Sequence, residues 1–236
     1  MPYLDRVGEV FVLHLGNEGE PDTPNPFNPR WLDEVEGLLT EVENFDGPGA
    51  LVTTAEGKFY STGLDTDWIL HNADQVNGYI DRVQTLFARL LTFAMPTVAA
   101  IPGHTFGGGA ILAAAHDHIV MREDRGFFCL PGITIGASYA PGSIALLASR
   151  LPTRTVHDAL VTGRRYGGIE AMSAGFVDQV AAADDVLSTA VDYARTLTRT
   201  RGRTLHEIKE LLYAEPLALL RTPVVGIDKQ VILKDH

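Results

Sequence analysis

Apolar positions along the chain fall into two rhythms that alternate from one end to the other. Residues 9–15, Glu-Val-Phe-Val-Leu-His-Leu, are almost continuously apolar and predict an opening strand. The polar, proline-rich stretch 16–26 has turn chemistry throughout. Asn28-Pro29 then predicts a helix start, because Asn caps free amides and Pro fits the first helical position. Trp31, Leu32, Val35, Leu38, Leu39, Val42 and Phe45 follow at helical spacing and mark one buried face. Gly47-Pro48-Gly49 stops that helix, and 50–54 reads as a short buried strand. Val76, Ile80, Val83, Leu86, Phe87, Leu90 and Leu91 predict a second long helix ending before Pro96. A strand over 97–101 runs into a glycine-rich turn and a helix over 110–116. Strands are expected at 119–121 and 127–130. Beyond Pro152 the pattern is helical, with one strand expected near 176–180. Short strands alternating with helices point to an α/β class. One domain is expected: a core over 1–180 and a helical C-terminal extension over 181–236 that serves as an oligomerisation or lid element of the same unit.

Composition narrows the function classes. Hydrophobic residues make up 45% of the 236, enough for a substantial core. The formal net charge of -11 argues against nucleic acid and anionic membranes as partners, since both reward a basic footprint. No apolar run reaches the ~20 residues a membrane span needs. Residues 1–5 lack the basic patch and apolar stretch of a secretory signal. The single cysteine, Cys129, excludes an intramolecular disulfide, and its apolar flanks suggest an inert core thiol. A reduced, cytoplasmic protein is the resulting expectation.

Two turns carry the candidate chemistry. Residues 57–65, Gly-Lys-Phe-Tyr-Ser-Thr-Gly-Leu-Asp, follow a predicted buried strand and place a glycine just before Leu64. Residues 101–110, Ile-Pro-Gly-His-Thr-Phe-Gly-Gly-Gly-Ala, follow another strand and open a helix. Consecutive glycines let the backbone approach a ligand closely. The first amides of a helix lack intrahelical partners and sit at the positive end of its dipole, so such a turn stabilises a phosphate or a developing oxyanion. The spacing matches neither the dinucleotide fingerprint nor the phosphate loop.

Taken together, the pattern Gly-Lys-Phe-(x)3-Gly-Leu-Asp and, some forty residues on, Pro-Gly-His-(x)2-Gly-Gly-Gly resembles the crotonase superfamily, the enoyl-CoA hydratase/isomerase family. The resemblance spans residues 9–179 and includes Asn-Pro-Phe-Asn at 25–28. The run His-Asp-His-Ile-Val-Met-Arg-Glu-Asp-Arg-Gly-Phe at 116–127 is similar to that of peroxisomal Δ3,Δ2-enoyl-CoA isomerases. The resemblance implies a ClpP-like spiral of strand-strand-helix units and a homotrimer, or a dimer of trimers, built by late helices. It further implies an acyl-CoA thioester as ligand, with coenzyme A part of the substrate and no separate cofactor. The thioester oxygen would accept hydrogen bonds from the backbone N–H groups of Leu64 and Gly108. Ser61, Gly63, Asp65 and Gly107 are the substrate-binding positions implied around them, with Asp65 steadying the first turn, and Lys58 is placed to help the adenine or phosphate end of coenzyme A, alternatively as a solvated lysine.

The chain departs from the family pattern at both acid/base positions. The Glu three residues after the oxyanion glycine is here Ile111, and the Glu that follows a Pro in the next strand region is here Gly132. General acid/base assistance is worth ~100- to 10,000-fold, so another proton carrier is sought. Tyr139 is the leading candidate, because related enzymes carry a functional Asp near that point of the loop, and its alternative role is a wall of the acyl pocket. Asp67 and His104, beside the two turns, come next. Met95, Phe106, Trp68 and Ile69 are candidate acyl-tunnel residues, alternatively plain core. His116 and His118 resemble a metal pair but straddle a helix end and a strand start without further ligands, so no metal is expected. The stretch around Ser138 lacks the second glycine of a nucleophile elbow. Three functions stay open: an enoyl-CoA isomerase with a relocated proton carrier, a non-catalytic acyl-CoA-binding protein, and a thioester hydrolase or decarboxylase. Hydratase activity ranks below these because it needs two carboxylates.

Overall fold

The computed structural model describes residues 1–226. Strand β1 (Tyr3–Val7) pairs antiparallel with β2 (Val10–His14), after which the chain builds two sheets at once. Helix α1 (Pro29–Asn44) starts as its sequence predicts: Asn28 Oδ1 accepts from Trp31 N at 2.9 Å and Pro29 occupies the first turn. Strand β3 (Ala50–Thr54) joins the large sheet and β4 (Phe59–Ser61) the small one, followed by α2 (Thr66–His71) and α3 (Val76–Leu91). The same step repeats with β5 (Thr97–Ile101), β6 (His104–Phe106) and α4 (Gly108–Ala114). It repeats again with β7 (His118–Arg122), β8 (Phe128–Cys129) and α5 (Gly132–Ile135). Each unit is therefore strand, strand, helix, with the first strand in one sheet and the second in the other.

Helices α6 (Pro141–Arg150) and α7 (Thr153–Thr162), strand β9 (Arg165–Tyr166), helix α8 (Gly168–Ala174) and strand β10 (Gln179–Ala181) continue the chain. Helices α9 (Val186–Leu197), α10 (Arg203–Leu212) and α11 (Ala214–Leu220) end the described part. The last stretch of the expected helical extension, 227–236, lies outside the described residues. The large sheet runs β1-β2-β3-β5-β7-β10, parallel except at β1, and the small one β4-β6-β8-β9, parallel except at β9.

Alternation along the central strands explains their near-continuous apolarity, since both faces are covered. Phe11, Leu13, Leu51, Ala99, Ile101, Ile119 and Met121 face the main core, which also holds α1, α3, α4 and α6. Val10, Val12, Ala50, Val52, Val98, Ala100 and Val120 face the other way and are sealed by Val186, Ala190, Val191 and Ala194 of α9. Lys209 of α10 is buried and reaches Asp117 Oδ2 at 2.7 Å, the same oxygen that accepts from Thr97 N at 2.8 Å, so the pair pins α10 to the start of β5.

Several elements differ from the sequence expectation. Strand β1 is an edge strand whose Asp5, Arg6 and Val7 are exposed, so it has no apolar signature. Strands β4, β6 and β9 span two or three residues, too short for a period to register. Helix α4 begins at Gly108, inside the glycine triplet and ahead of the expected Ala110. Phe176 and Val177 lie buried in the core just before β10, which begins at Gln179.

Candidate active site

The two glycine turns meet back to back. A side chain on Gly63, whose φ is +81°, would collide with the backbone of Gly108 and Gly109. A methyl on Gly108 would in turn lie 3.2 Å from Gly63 Cα and 3.3 Å from Leu64 N. Only glycine permits this approach, which brings the Leu64 and Gly108 amides to one place. Gly107, at φ +52° and ψ −116°, forms the corner from which α4 departs.

Hydrogen bonding around the turns leaves these two amides unused. Gly63 N donates to Ser61 Oγ at 2.9 Å, and Ser61, fully buried, donates to Asn25 O at 2.8 Å. Asp65 N donates to the Tyr79 hydroxyl at 3.0 Å, while Asp65 Oδ1 caps α2 by accepting from Trp68 N at 2.8 Å. Gly107 N donates to Cys129 O at 3.0 Å. Among the described residues, the amides of Leu64 and Gly108 have no protein acceptor. The neighbours are satisfied and hold the chain, and the free N–H pair is available to an oxygen presented from outside.

Beside them lies a cavity of about 140 Å³, walled by Leu64, Gly107, Gly108 and the apolar side chains Ile69, Val76, Ile80, Val83, Phe87 and Ile111. Ile111 and Gly132, the two positions where the sequence lacks a carboxylate, both belong to this wall, so the missing groups would have faced the cavity. Asp, Glu, His and Lys are absent from the lining among the described residues.

Tyr139, also in the wall, takes over the space beside Gly132. A methyl on Gly132 would lie 2.5 Å from Tyr139 Cε2 and 2.6 Å from Ala137 O, so a side chain at 132 and the ring of Tyr139 exclude one another in this arrangement. The Tyr139 hydroxyl accepts from Gly132 N at 2.9 Å, and its own proton has no protein acceptor among the described residues. Burial pushes the phenol up to about 12, against the opposing pull of the Gly132 amide. It is thus protonated at neutral pH and poised to donate.

Other candidates part from the site. His104 stands on the outer face of the small sheet, 5.0 Å from Phe106 and 5.4 Å from Phe59 and Phe127 between ring centroids. Burial, with Lys58, Arg165 and Arg125 nearby, lowers its pKa. Lys58, expected at the adenine or phosphate end of coenzyme A and not in the acyl cavity, is exposed and lies over the Phe59 ring at 5.0 Å. Asp67 is in the exposed first turn of α2. Of the four proposed tunnel residues only Ile69 lines the cavity. Met95 packs beneath Gly49, Phe106 faces His104, and Trp68 tilts against Tyr79 at 4.9 Å. His116 engages both ring nitrogens internally, with Thr53 Oγ1 at 2.9 Å and Leu112 O at 2.8 Å, while His118 stacks on Tyr193. Sequence reasoning passed over Gln84 and Ser143, two buried polar residues in the cavity wall. Gln84 carried a signal: it falls within the apolar stripe Ile80, Val83, Phe87 of α3, where a polar residue is out of place.

Comparison with known proteins agrees with this architecture. The family model described as enoyl-CoA hydratase/isomerase matches residues 10–230. Enoyl-CoA delta isomerase 2, peroxisomal, of Arabidopsis thaliana is 30% identical over 92% of this chain and 94% of its own length. A putative enoyl-CoA hydratase of Thermus thermophilus is 30% identical over 89% of this chain and 82% of its own length. The structure of human mitochondrial delta3-delta2-enoyl-CoA isomerase superposes with a TM-score of 0.82 at 22% identity, over 92% of this chain and 84% of that one, a likeness of fold. With the glycine turns meeting as that family's motifs require, and the match running over nearly the whole chain, this protein belongs to the enoyl-CoA hydratase/isomerase family.

Proposed function

We propose that the protein shifts the double bond of an enoyl-CoA thioester, with the Leu64 and Gly108 amides holding the thioester oxygen and the Tyr139 hydroxyl carrying the proton. The observation that carries this reading is the Tyr139 ring lodged beside Gly132, its hydroxyl bonded to the Gly132 amide. The ionised Tyr139 oxygen takes the proton from C2 of a β,γ-enoyl thioester, and electron density moves to the thioester oxygen, where two N–H donors stabilise it. Return of the proton at C4 then gives the conjugated α,β-enoyl thioester. One carrier serves both ends, whereas hydration needs a second group to activate water, and among the described residues the cavity wall holds no carboxylate or histidine to be that group. Several relatives bear isomerase names, which favours the same reaction.

The test is an ultraviolet assay for conjugation of a Δ3-enoyl-CoA, run on the native protein and on Tyr139→Phe. Turnover is expected, with a loss of at least ~100-fold in the variant. Full turnover in the variant would remove Tyr139 from the mechanism. Acyl-CoA binding with no turnover would favour the second reading, a non-catalytic acyl-CoA-binding protein, which the lack of a carboxylate in the cavity supports. Release of free thiol instead would point to a thioester hydrolase. The exposed apolar side chains Ile133, Val161, Ile169 and Met172 support a homotrimer, or a dimer of trimers, formed partly by α5, α7 and α8. Among the described residues no helix is long and apolar enough to cross a membrane. A cytoplasmic location stays the reading, the peroxisome named for one relative is its alternative, and fractionation of cells tests it.

A further inference from the structure

The segment Pro24-Asn25-Pro26-Phe27 runs as a strap beside the first glycine turn and touches both turns. Thr62 N donates to Pro24 O at 2.9 Å, Ser61 Oγ to Asn25 O at 2.8 Å, and Phe27 N to Gly63 O at 2.8 Å. Asn25 is 4% exposed and has φ +50°, a left-handed conformation that Asn tolerates better than most residues. Its side chain ties the strap to β4: Nδ2 donates to Phe59 O and Tyr60 O at 3.1 Å each, while Oδ1 accepts from Thr23 Oγ1 at 2.6 Å. Phe27 is fully buried, and its ring stacks on Trp31 at 4.5 Å. A methyl on Gly108 would lie 3.1 Å from Phe27 Cε2, so the residue whose amide holds Gly63 also packs its ring against Gly108.

The bond to Gly63 O bears directly on the Leu64 amide. Gly63 O and Leu64 N belong to one peptide group, and in a trans peptide the C=O and N–H point in opposite directions. Holding the oxygen from behind aims the Leu64 N–H away from the strap, and Leu64 and Gly108 both line the cavity. The Gly108 amide is arranged alike, since Gly107 O accepts from Ile111 N at 3.1 Å at the start of α4. Hydrogen bonds in series polarise one another by roughly 10–30% per bond, so each donor is strengthened by the bond behind it. We propose that Asn25 and Phe27 are positioning residues for the thioester oxygen. Phe27 aims and polarises the Leu64 amide and spaces it from Gly108, and Asn25 holds Phe27 in register by fastening the strap to β4. This rests on the acyl-CoA reading above and adds to it the groups that set the strength of the two donors.

Infrared difference spectra of bound hexanoyl-CoA, labelled with carbon-13 at the thioester carbonyl, separate this inference from the reading it rests on. The probe is saturated and cannot undergo the double-bond shift, so the band reports the hydrogen bonds to its oxygen whether or not the protein is an enzyme. Two variants are compared with the native protein. Asn25→Gly keeps the positive φ and drops the side chain. Replacement of Phe27 by its α-hydroxy analogue exchanges the N–H for an ester oxygen and keeps the ring. The native protein is expected to move the carbonyl stretch below that of the free probe, and both variants to lose about half of that shift or more. In the conjugation assay kcat should fall ~10-fold in both, with KM changed by less than ~3-fold. A native band position in the α-hydroxy variant overturns the inference and leaves the acyl-CoA site standing. Should Asn25→Gly fail to fold, the α-hydroxy variant, which keeps every side chain, decides alone. Probe bound to the native protein without any shift overturns the assignment of the Leu64 and Gly108 amides together with the inference, and failure of the probe to bind overturns the acyl-CoA reading. A role in folding alone would lower Tm in both variants at an unchanged band position, and that outcome also counts against the proposal.

Discussion

Tyr139 and His116 show how far one side chain's surroundings decide its chemistry. A carboxylate carrier ionises near pH 4, so its activity is level above pH ~6. A phenol raised to about 12 by burial acts as a base only in its scarce ionised form. The logarithm of kcat/KM is therefore expected to climb by about one per pH unit from 7 to 10, and to lose that slope in Tyr139→Phe. A flat profile in the native protein would exclude the phenolate as base. The range stops at 10 because burial also raises Tyr3 and Tyr166 to about 12. Folded pKa values above the unfolded ones mean stability that is whole below pH ~10 and lost as pH rises through the folded values. His116 works in the other direction. Complete burial depresses it to about 4, so its contribution is whole above pH ~6.5 and lost as pH falls toward 4. Roughly 3 kcal/mol is at stake from that shift. Thermal melts should show an acid decline over this window, made shallower in His116→Gln, and an unchanged decline would mean other groups govern it. None of this was legible from sequence, where a tyrosine in a loop and a histidine before a strand carry no sign of their burial.

At the scale of elements, the geometry of the two glycine turns depends on how each turn is finished. Asp65 both caps α2 and borders the free Leu64 amide. Asp65→Ala should cost about 1 kcal/mol of stability, a fall in Tm of ~2–4 °C, and weaken acyl-CoA binding as the turn loosens. Asp65→Asn keeps the cap and should preserve both, and equal behaviour of the two variants in calorimetry would show that capping is irrelevant to the turn. Long elements such as α1 and α3 could be read from sequence because their apolar stripes persist for several turns. The glycine turns were equally legible, since positive φ at Gly63 and Gly107 and close backbone approach at Gly63 leave few alternatives to glycine there. The three-residue strands β4 and β6 were not, because their pairing lies with partners distant in the chain.

For the whole molecule, alternating strands between two sheets brings residues 63–64 and 107–108 together and sets Gln84, Ile111 and Tyr139 around one cavity. The surface left over includes Ile133, Val161, Ile169 and Met172, apolar and exposed in the isolated chain. Light scattering is expected to give a mass three or six times the 25.6 kDa of the chain. Paired substitution Val161→Glu with Ile169→Glu should yield folded monomers, because a charge buried at such a contact lacks a partner. A native monomer, or a variant assembly of unchanged mass, would show that α7 and α8 do not form the contact.

The sequence by itself determined the α/β class, the helices with long stripes, the family, the two glycine turns and the absence of a carboxylate at positions 111 and 132. These are local properties: periodicity, glycine spacing and residue identity at motif positions. Tertiary structure decided which candidates share a site. It separated His104 and Asp67 from the cavity, lodged Tyr139 against Gly132, and joined Gln84 to Ser143 across α3 and α6. Those outcomes depend on contacts between segments dozens of residues apart, and no local pattern encodes the direction in which a side chain finally points.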